Sequence, residues 1–255
     1  MLNAMFLPGI VCKLPGFMQE FIEDFELNFI KDSRWKFLVN GLKVTVTVTF
    51  FALLLGIVIG IVIASVRSSY TKNYEEMRPG FGRVLLKVGN WICGLYLTVI
   101  RGTPVVVQLL IMYFVVFVSS DNAVLVASLT FGINSGAYVA EIFRSGIMSI
   151  DRGQMEAGRS LGFNYVQTMI HIIIPQAFKN VLPALANEFI VLLKETSVCG
   201  YVGLKDLTKG GDIIRGRTFS AMMPLIAVAL IYLVMVVVLS KLVGLLEKKL
   251  RSSDH

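Results

Sequence analysis

Long apolar blocks separated by shorter polar stretches set the pattern of this 255-residue chain. Around residues 42–66, 88–118, 123–147, 177–198 and 222–246 the apolar residues run on. Each block reaches about the 20 positions that a helix needs to cross about 30 Å of hydrocarbon. The pattern predicts an all-α membrane protein with five transmembrane helices. The first block opens KVTVTVTF, an alternation suited to a strand. Its continuation LLLGIVIGIVIA, and the cost of unpaired backbone groups in lipid, favour a helix instead. The second block is interrupted by Arg101-Gly102-Thr103-Pro104, which must break the helix. Pro104 lacks a backbone donor and biases Thr103 away from helical geometry. The short SSDN hinge makes the second and third spans antiparallel neighbours. Residues 149–176 are polar and amphipathic, and residues 200–220 read as a glycine-rich polar loop.

Three regions follow from this pattern. Residues 1–40 are an extracytoplasmic or interfacial segment, 41–246 the membrane domain and 247–255 a cytoplasmic tail. The beginning, MLNAMFLPGIVCKLPGFM, has no basic start and is broken by Pro8-Gly9 and Pro15-Gly16, so a cleaved signal peptide is not expected. Phe21, Ile22, Phe25 and Phe29 then recur at helical spacing against Glu23, Asp24, Glu26 and Lys31. Such an amphipathic helix either lies in the membrane interface or packs on a partner. Five spans put the termini on opposite sides. Placing Arg67, Arg78, Arg83, Arg152 and Lys248 inside gives the cytoplasmic face the larger share of Lys and Arg, so the N-terminus is expected outside and the C-terminus inside.

Composition supports the membrane reading: 55% of residues are hydrophobic and 16% charged, with mean hydropathy +0.73. The net charge of +7 would suggest nucleic acid in a soluble chain. Here Lys and Arg flank apolar blocks, with no basic stripe interleaved with aromatics, so a nucleic-acid partner is not expected. Cys12, Cys93 and Cys199 share no metal-ligand spacing with one another or with His171 and His255, so no metal site is expected. The sequence carries no phosphate-cradling G-x-x-x-x-G-K-[ST] loop, no GxSxG and no HExxH. No catalytic residue and no cofactor site is expected in the chain. Transport through it must draw on an ion gradient or on a separate energy-supplying chain.

Polar groups at membrane depth are costly and mark functional candidates. In the third span Thr130, Asn134, Tyr138 and Glu141 form one stripe, while Gly132, Gly136 and Ala140 line another face at small-xxx-small spacing. Gly56 and Gly60 repeat that spacing in the first span. In the fourth, Asn187 shares a face with Lys194, and Glu188 the adjacent one with Glu195. These stripes either line a hydrophilic path or bond to neighbouring helices. As candidates for a substrate path we take Gln108, Asn134, Tyr138, Glu141, Asn187 and Glu188; Arg101, beside the chain break, either bonds backbone carbonyls at the bend or lies along the path.

The polar segment between the third and fourth spans reads GQMEAGRSLGFNYVQTMIHIIIPQA. Gly162 is a candidate helix C-cap. Glu156, Ala157, Gly162, Ile172 and Pro175 fit the spaced pattern E-A-A, three residues, G, nine residues, I-x-L-P. Gly158 stands for the third Ala and Ile174 for the Leu, both conservative in size. This segment resembles the EAA loop of ABC importer permeases. RGTPVVVQLL, SGAYVAEIFRSGI, IIIPQAFKNVLPALANEFIVLLKETSV and LIYLVMVVVLS extend the resemblance to the polar amino-acid branch, the histidine/glutamine type.

The resemblance implies the type I ABC importer permease fold and a place in a bacterial plasma membrane. It implies a second permease subunit, identical or related, and two ATPase subunits that bind the ATP and Mg. It also implies an extracytoplasmic solute-binding protein or domain and a polar amino-acid substrate. Glu156, Ala157, Gly158, Gly162, Ile172 and Pro175 would then form the coupling element docked to the ATPase. A self-sufficient ion-coupled secondary transporter is the competing reading. The short chain, without paired inverted repeats, speaks against it.

Overall fold

The computed structural model describes residues 16–75 and 77–251, and among them it contains helices and connections but no strand. The start of the chain, with Cys12 and the question of a signal peptide, lies outside the described residues, as do 252–255. Among the described residues five helices are long and apolar enough to cross a membrane.

The amphipathic segment forms α1 (Gly16–Phe25), which widens into a π turn over Glu26–Ile30. Phe21 and Phe25 lie exposed, while Asn28 and Phe29 turn inward. At Asp32 and Ser33 the chain reverses through left-handed geometry (φ 57° and 53°). Arg34 secures this corner, donating to the Leu27 carbonyl at 2.6 Å and to Asp32 at 2.9 Å.

From there α2 (Trp35–Asn73) runs 39 residues, about 58 Å at the usual rise. It starts before the expected residue 42 and outlasts residue 66, because polar ends that reach water can go on satisfying their own backbone. The strand-like KVTVTVTF is helical throughout. Thr45, Val48, Thr49 and Ala52 fall at i, i+3, i+4 and i+7 and are all fully buried, whereas Val46 and Phe50 face outward. The Thr49 hydroxyl donates to the Thr45 carbonyl at 2.8 Å, so this inward hydroxyl is not left unpaired.

The second span is built in two pieces: α3 (Phe81–Gly102), then α4 (Val105–Ile111) widened into a π turn over Met112–Val116. Between them Thr103 and Pro104 are extended (ψ 143° and 134°). After Asn122, whose side chain accepts from Leu125 N–H, α5 (Ala123–Met148) turns back. It is the central helix: 67% of its apolar window is buried, against 11% for α3 and for the last span.

The α2–α5 contact is made by glycines on both sides. A Cβ at Gly60 would stand 2.5 Å from Val139 Cγ1, and one at Gly56 would stand 3.0 Å from Ser135. Reciprocally, Gly132 meets Leu55, and Gly136 meets Ile59 and the Tyr96 hydroxyl. The two small-residue stripes therefore face each other, which lets backbones approach closely where lipid offers no hydrophobic driving force. The Tyr96 hydroxyl is hydrogen-bonded to the Ile133 carbonyl and ties α3 to the same seam.

Beyond α5 come α6 (Arg152–Ser160), α7 (Tyr165–Thr168), a π turn over Met169–Ile173 and α8 (Ile174–Glu195). The last three form one helical path that begins well before the expected residue 177. The π turn falls directly ahead of Pro175, where the chain has no N–H to give.

Residues 200–220, expected to be a loop, are largely helical. A 3-10 segment over Thr196–Val202 leads to α9 (Leu207–Thr218), and α10 (Met222–Arg251) completes the chain. Polar composition concealed α9, yet Leu207 and Ile214 are fully buried, and a Cβ at Gly210 would meet the Phe37 carbonyl at 2.6 Å. Its N-cap is the buried Asp206, which accepts from Thr208 N–H (2.9 Å) and Lys209 N–H (3.3 Å), while Leu207 N–H donates to the Thr45 hydroxyl (3.1 Å). Burial pushes the Asp206 carboxyl above the ordinary carboxylate range, against these N–H bonds. Asp212, bonded by Lys209 and Arg215, is held below it.

Candidate functional site

Some of the candidate residues gather in two separate places, a turn between α6 and α7 and a cavity beside α3 and α5.

The turn is fixed by its own hydrogen bonds. Asp151 caps α6 through Gly153 N–H at 2.6 Å. At the other end Gly162 adopts φ +87°, its N–H donating to the Arg159 carbonyl at 3.0 Å, and Phe163 N–H reaches back to Gly158 at 3.2 Å. Nested bonds of this kind close a helix at a left-handed residue, a position that favours glycine. Asn164 and Gln167 then form a reciprocal capping box, 2.9 Å each way, that starts α7.

Two glycines serve the turn differently. A Cβ at Gly162 would meet nothing within 4 Å, so only its backbone angle matters. A Cβ at Gly158 would stand 2.5 Å from Thr168 Cγ2 and 3.0 Å from Ile172 Cδ1. The Gly-for-Ala departure at 158 is thus matched by Thr168, a partner the sequence pattern did not single out. Gly158 and Ile172 hold the turn together from inside, whereas Glu156, Ala157, Gly162 and Pro175 are exposed. Leu161, 76% exposed at the tip, adds an apolar residue that the spaced pattern does not include.

The cavity, about 890 Å³, is lined by Arg67, Asn90, Trp91, Arg101, Tyr138 and Glu141 among others. The Arg101 guanidinium lies 5.6 Å from the centre of the Tyr138 ring and 3.9 Å from Glu141, whose other oxygen accepts from Arg144 Nε at 3.1 Å. The carbonyls at the chain break are served by another residue. Gln108 Nε2 donates to the Ile100 carbonyl (2.8 Å), the Thr103 carbonyl (3.1 Å) and the Thr103 hydroxyl (2.8 Å). Its Oε1 accepts from Asn134 Nδ2 at 3.0 Å. Gln108, taken as a candidate for the path, thus bonds the carbonyls of the broken helix, and of the two places open to Arg101 the structure shows it lining the cavity.

The α5 stripe divides accordingly. Thr130 bonds the Val126 carbonyl and Asn134 is spent on Gln108, both buried, while Tyr138 and Glu141 reach the cavity. Glu188 is not with them. It is 8% exposed on α8 and accepts from the Ser135 hydroxyl at 2.8 Å. Asn187 and Lys194 lie exposed on the adjoining side of α8. Among the described residues no group of three or more His, Cys, Asp or Glu is placed to hold a metal ion.

Among the described residues the chain is helical, with five helices long and apolar enough to cross a membrane and a hydrogen-bonded turn between the third and the fourth. Residues 80–252 match the family described as "Binding-protein-dependent transport system inner membrane component", and the chain belongs to that family. The arginine transport system permease protein ArtQ of Bacillus subtilis (strain 168) is 40% identical over 167 residues, 64% of this chain and 76% of that protein. The glutamine transport system permease protein GlnP of Escherichia coli (strain K12) is 37% identical over 180 residues, 68% and 81%. In three dimensions the chain resembles an amino acid ABC transporter crystallised with histidines (TM-score 0.76, 39% identity, 87% of this chain and 98% of that one). A methionine ABC transporter in an inward-facing form shares the fold at 21% identity (TM-score 0.66, 86% and 96%). The fold is that of the type I ABC importer permeases.

Proposed function

We propose that the chain is the permease subunit of an ATP-driven importer of polar amino acids in a bacterial plasma membrane, with its N-terminus outside and its C-terminus inside. A second permease subunit, identical or related, completes the path. Two ATPase subunits, which bind ATP and Mg, dock on the α6–α7 turn from the cytoplasm. An extracytoplasmic solute-binding protein or domain delivers the substrate. Relatives named for arginine and for glutamine transport differ in the substrate's side chain and share its α-ammonium and α-carboxylate. ATP hydrolysis belongs to the partner chain, and this subunit turns the partner's motion into access.

The observation that carries the reading is the exposed, internally braced turn with Glu156, Ala157 and Leu161 outward and Gly158 locked against Thr168. A rigid handle transmits a motion that a flexible loop would absorb. Shifting a two-state equilibrium from one end to the other takes about 5.5 kcal/mol. A surface ion pair through Glu156, about 0–1 kcal/mol, cannot supply that. The driving energy therefore comes from nucleotide closing the ATPase, and Glu156 sets the docking geometry. The test is purification of the tagged chain from its own cells in mild detergent. An ATPase subunit should co-elute with the intact chain and be lost on replacing Glu156 and Leu161 by Arg and Asp. Purification without any ATPase would overturn the reading.

A further inference from the structure

We infer that α1 is an in-plane membrane anchor: its aromatic face sits in the boundary between acyl chains and headgroups on the side where α2 begins, held by apolar contact and not by headgroup charge. The inference stands on the five spans and not on what the chain carries. At ten residues α1 is shorter than the about 12–15 that an isolated helix needs to persist in water. Its own chain does not make up the difference, because no described side chain from Met18 to Leu27 is buried. Phe21 is 58% exposed and Phe25 46%. With Met18 they fall within about 60° of one another round the helix, while Glu20, Glu23 and Asp24 lie outside that sector, Glu23 opposite to it. One side therefore needs an apolar cover and the other needs water.

The corner that follows fixes the level of the helix. Asn28, fully buried, donates to the Asp24 carbonyl and accepts from the Thr218 hydroxyl, both at 2.8 Å. Phe29, its ring centre 5.1 Å from that of Phe25, packs in a cluster with Leu38 and Ile214. The end of α1 is thereby pinned beside the first turn of α2. Lys43, exposed two turns further along α2, has to reach headgroups or water, so the turns before it stand at headgroup level or beyond. Trp35, at the first position of α2, shares a sector of about 60° with Val39, Val46 and Phe50, all exposed on the outward face of the span. Tryptophan is enriched at that level. Ile30 and Trp35, both exposed, join the apolar side of α1 to the lipid-facing side of α2, so the cover it meets is lipid. α1 holds Glu20, Glu23 and Asp24 and no Lys or Arg, so anionic headgroups repel it and apolar area alone retains it.

The test is fluorescence quenching by brominated phospholipid in the full chain, reconstituted in nanodiscs with the subunits that co-purify with it. Trp35→Phe and Trp91→Phe clear the background, and one reporter is added at a time: Phe21→Trp, Phe25→Trp or Glu23→Trp. Bromine on the acyl chain near the headgroup should quench the first two at least about twofold more than the third. Quenching should be no stronger in anionic than in zwitterionic lipid. All three positions are exposed, and Met18→Trp, on the same face, replaces either phenylalanine reporter that fails to assemble. Blue-shifted emission without bromine quenching would put a protein over the face, a second copy or another partner, and red-shifted emission without quenching would put it in water. Equal quenching of all three reporters, or quenching that grows with anionic lipid, would remove the oriented anchor held by apolar contact. Each of these results overturns the inference.

Discussion

Gly162→Val isolates the backbone angle of the α6–α7 turn from every other property of that position. Because a Cβ there meets nothing within 4 Å, the substitution introduces no clash with a neighbour. What it imposes is a β-branched residue at φ +87°, a left-handed geometry that costs a non-glycine residue about 1–2 kcal/mol. That range corresponds to a factor of about 5–30 in the population of the closed turn relative to opened alternatives. Coupling should fall by up to this factor. The assay is the number of ATP molecules hydrolysed per solute imported by the reconstituted complex. In the Val variant that ratio should rise severalfold while the ATPase still co-purifies. Asparagine tolerates left-handed geometry, so Gly162→Asn should stay near the wild-type ratio, and aspartate is a weak probe for the same reason. Gly216→Ala, on an exposed stretch of α9 with equal space around it, should leave the ratio unchanged. A Val variant that couples like the wild type would refute the assignment of the turn as a rigid handle.

Three further outcomes follow from the packing. Gly60→Val should destabilise the protein by about 1–3 kcal/mol or more, because its Cβ would stand 2.5 Å from Val139 Cγ1; Gly244→Val, in open space, should not, and thermal unfolding in detergent compares them. Ser135→Ala removes the hydroxyl bonded to buried Glu188 and should cost about 1–3 kcal/mol, and adding Glu188→Leu should recover part of that loss instead of deepening it, a non-additivity visible in a double-mutant cycle. At Asp206 the folded carboxyl holds its proton to higher pH than the unfolded chain does, so its contribution is full below the ordinary value near pH 4 and is lost as pH rises through the raised one. Asp206→Asn keeps the cap acceptor and should flatten that part of the stability–pH curve, whereas Asp206→Ala should lose about 0.5–2 kcal/mol of capping at any pH. An Asn variant with the wild-type slope would count against the buried carboxyl as its source.

The spans were readable because lipid leaves a chain so few options. A run such as LLLGIVIGIVIA has to be helical, and Gly56 and Gly60 announce a close contact, though only the structure shows their partners to be Ser135, Gly136 and Val139. The α6–α7 turn was readable because Gly162 and Pro175 are tied to local geometry that depends on near neighbours. Where the reading faltered, the answer depended on residues distant in sequence. α9 looks like a loop until Phe37 and Thr45, far back in α2, are seen to cover it. Arg101 and Gln108 stand seven residues apart on either side of one break, and the sequence gives no means of telling which turns back to the carbonyls. A glutamine can donate to a carbonyl and accept from Asn134 at once, while a guanidinium only donates; the neighbouring helix α5 decides between them. Helical periodicity likewise placed Thr130, Asn134, Tyr138 and Glu141 on one face without showing that the broken end of α3 divides that stripe in two.

Uphill uptake into sealed vesicles puts the central claim to its most direct test. Vesicles holding the chain with its ATPase, supplied with the solute-binding protein, should accumulate labelled amino acid against its gradient when ATP reaches the ATPase. They should fail with ADP, and a proton gradient alone should not replace ATP. Accumulation by the chain alone, without ATPase or nucleotide, would contradict the account.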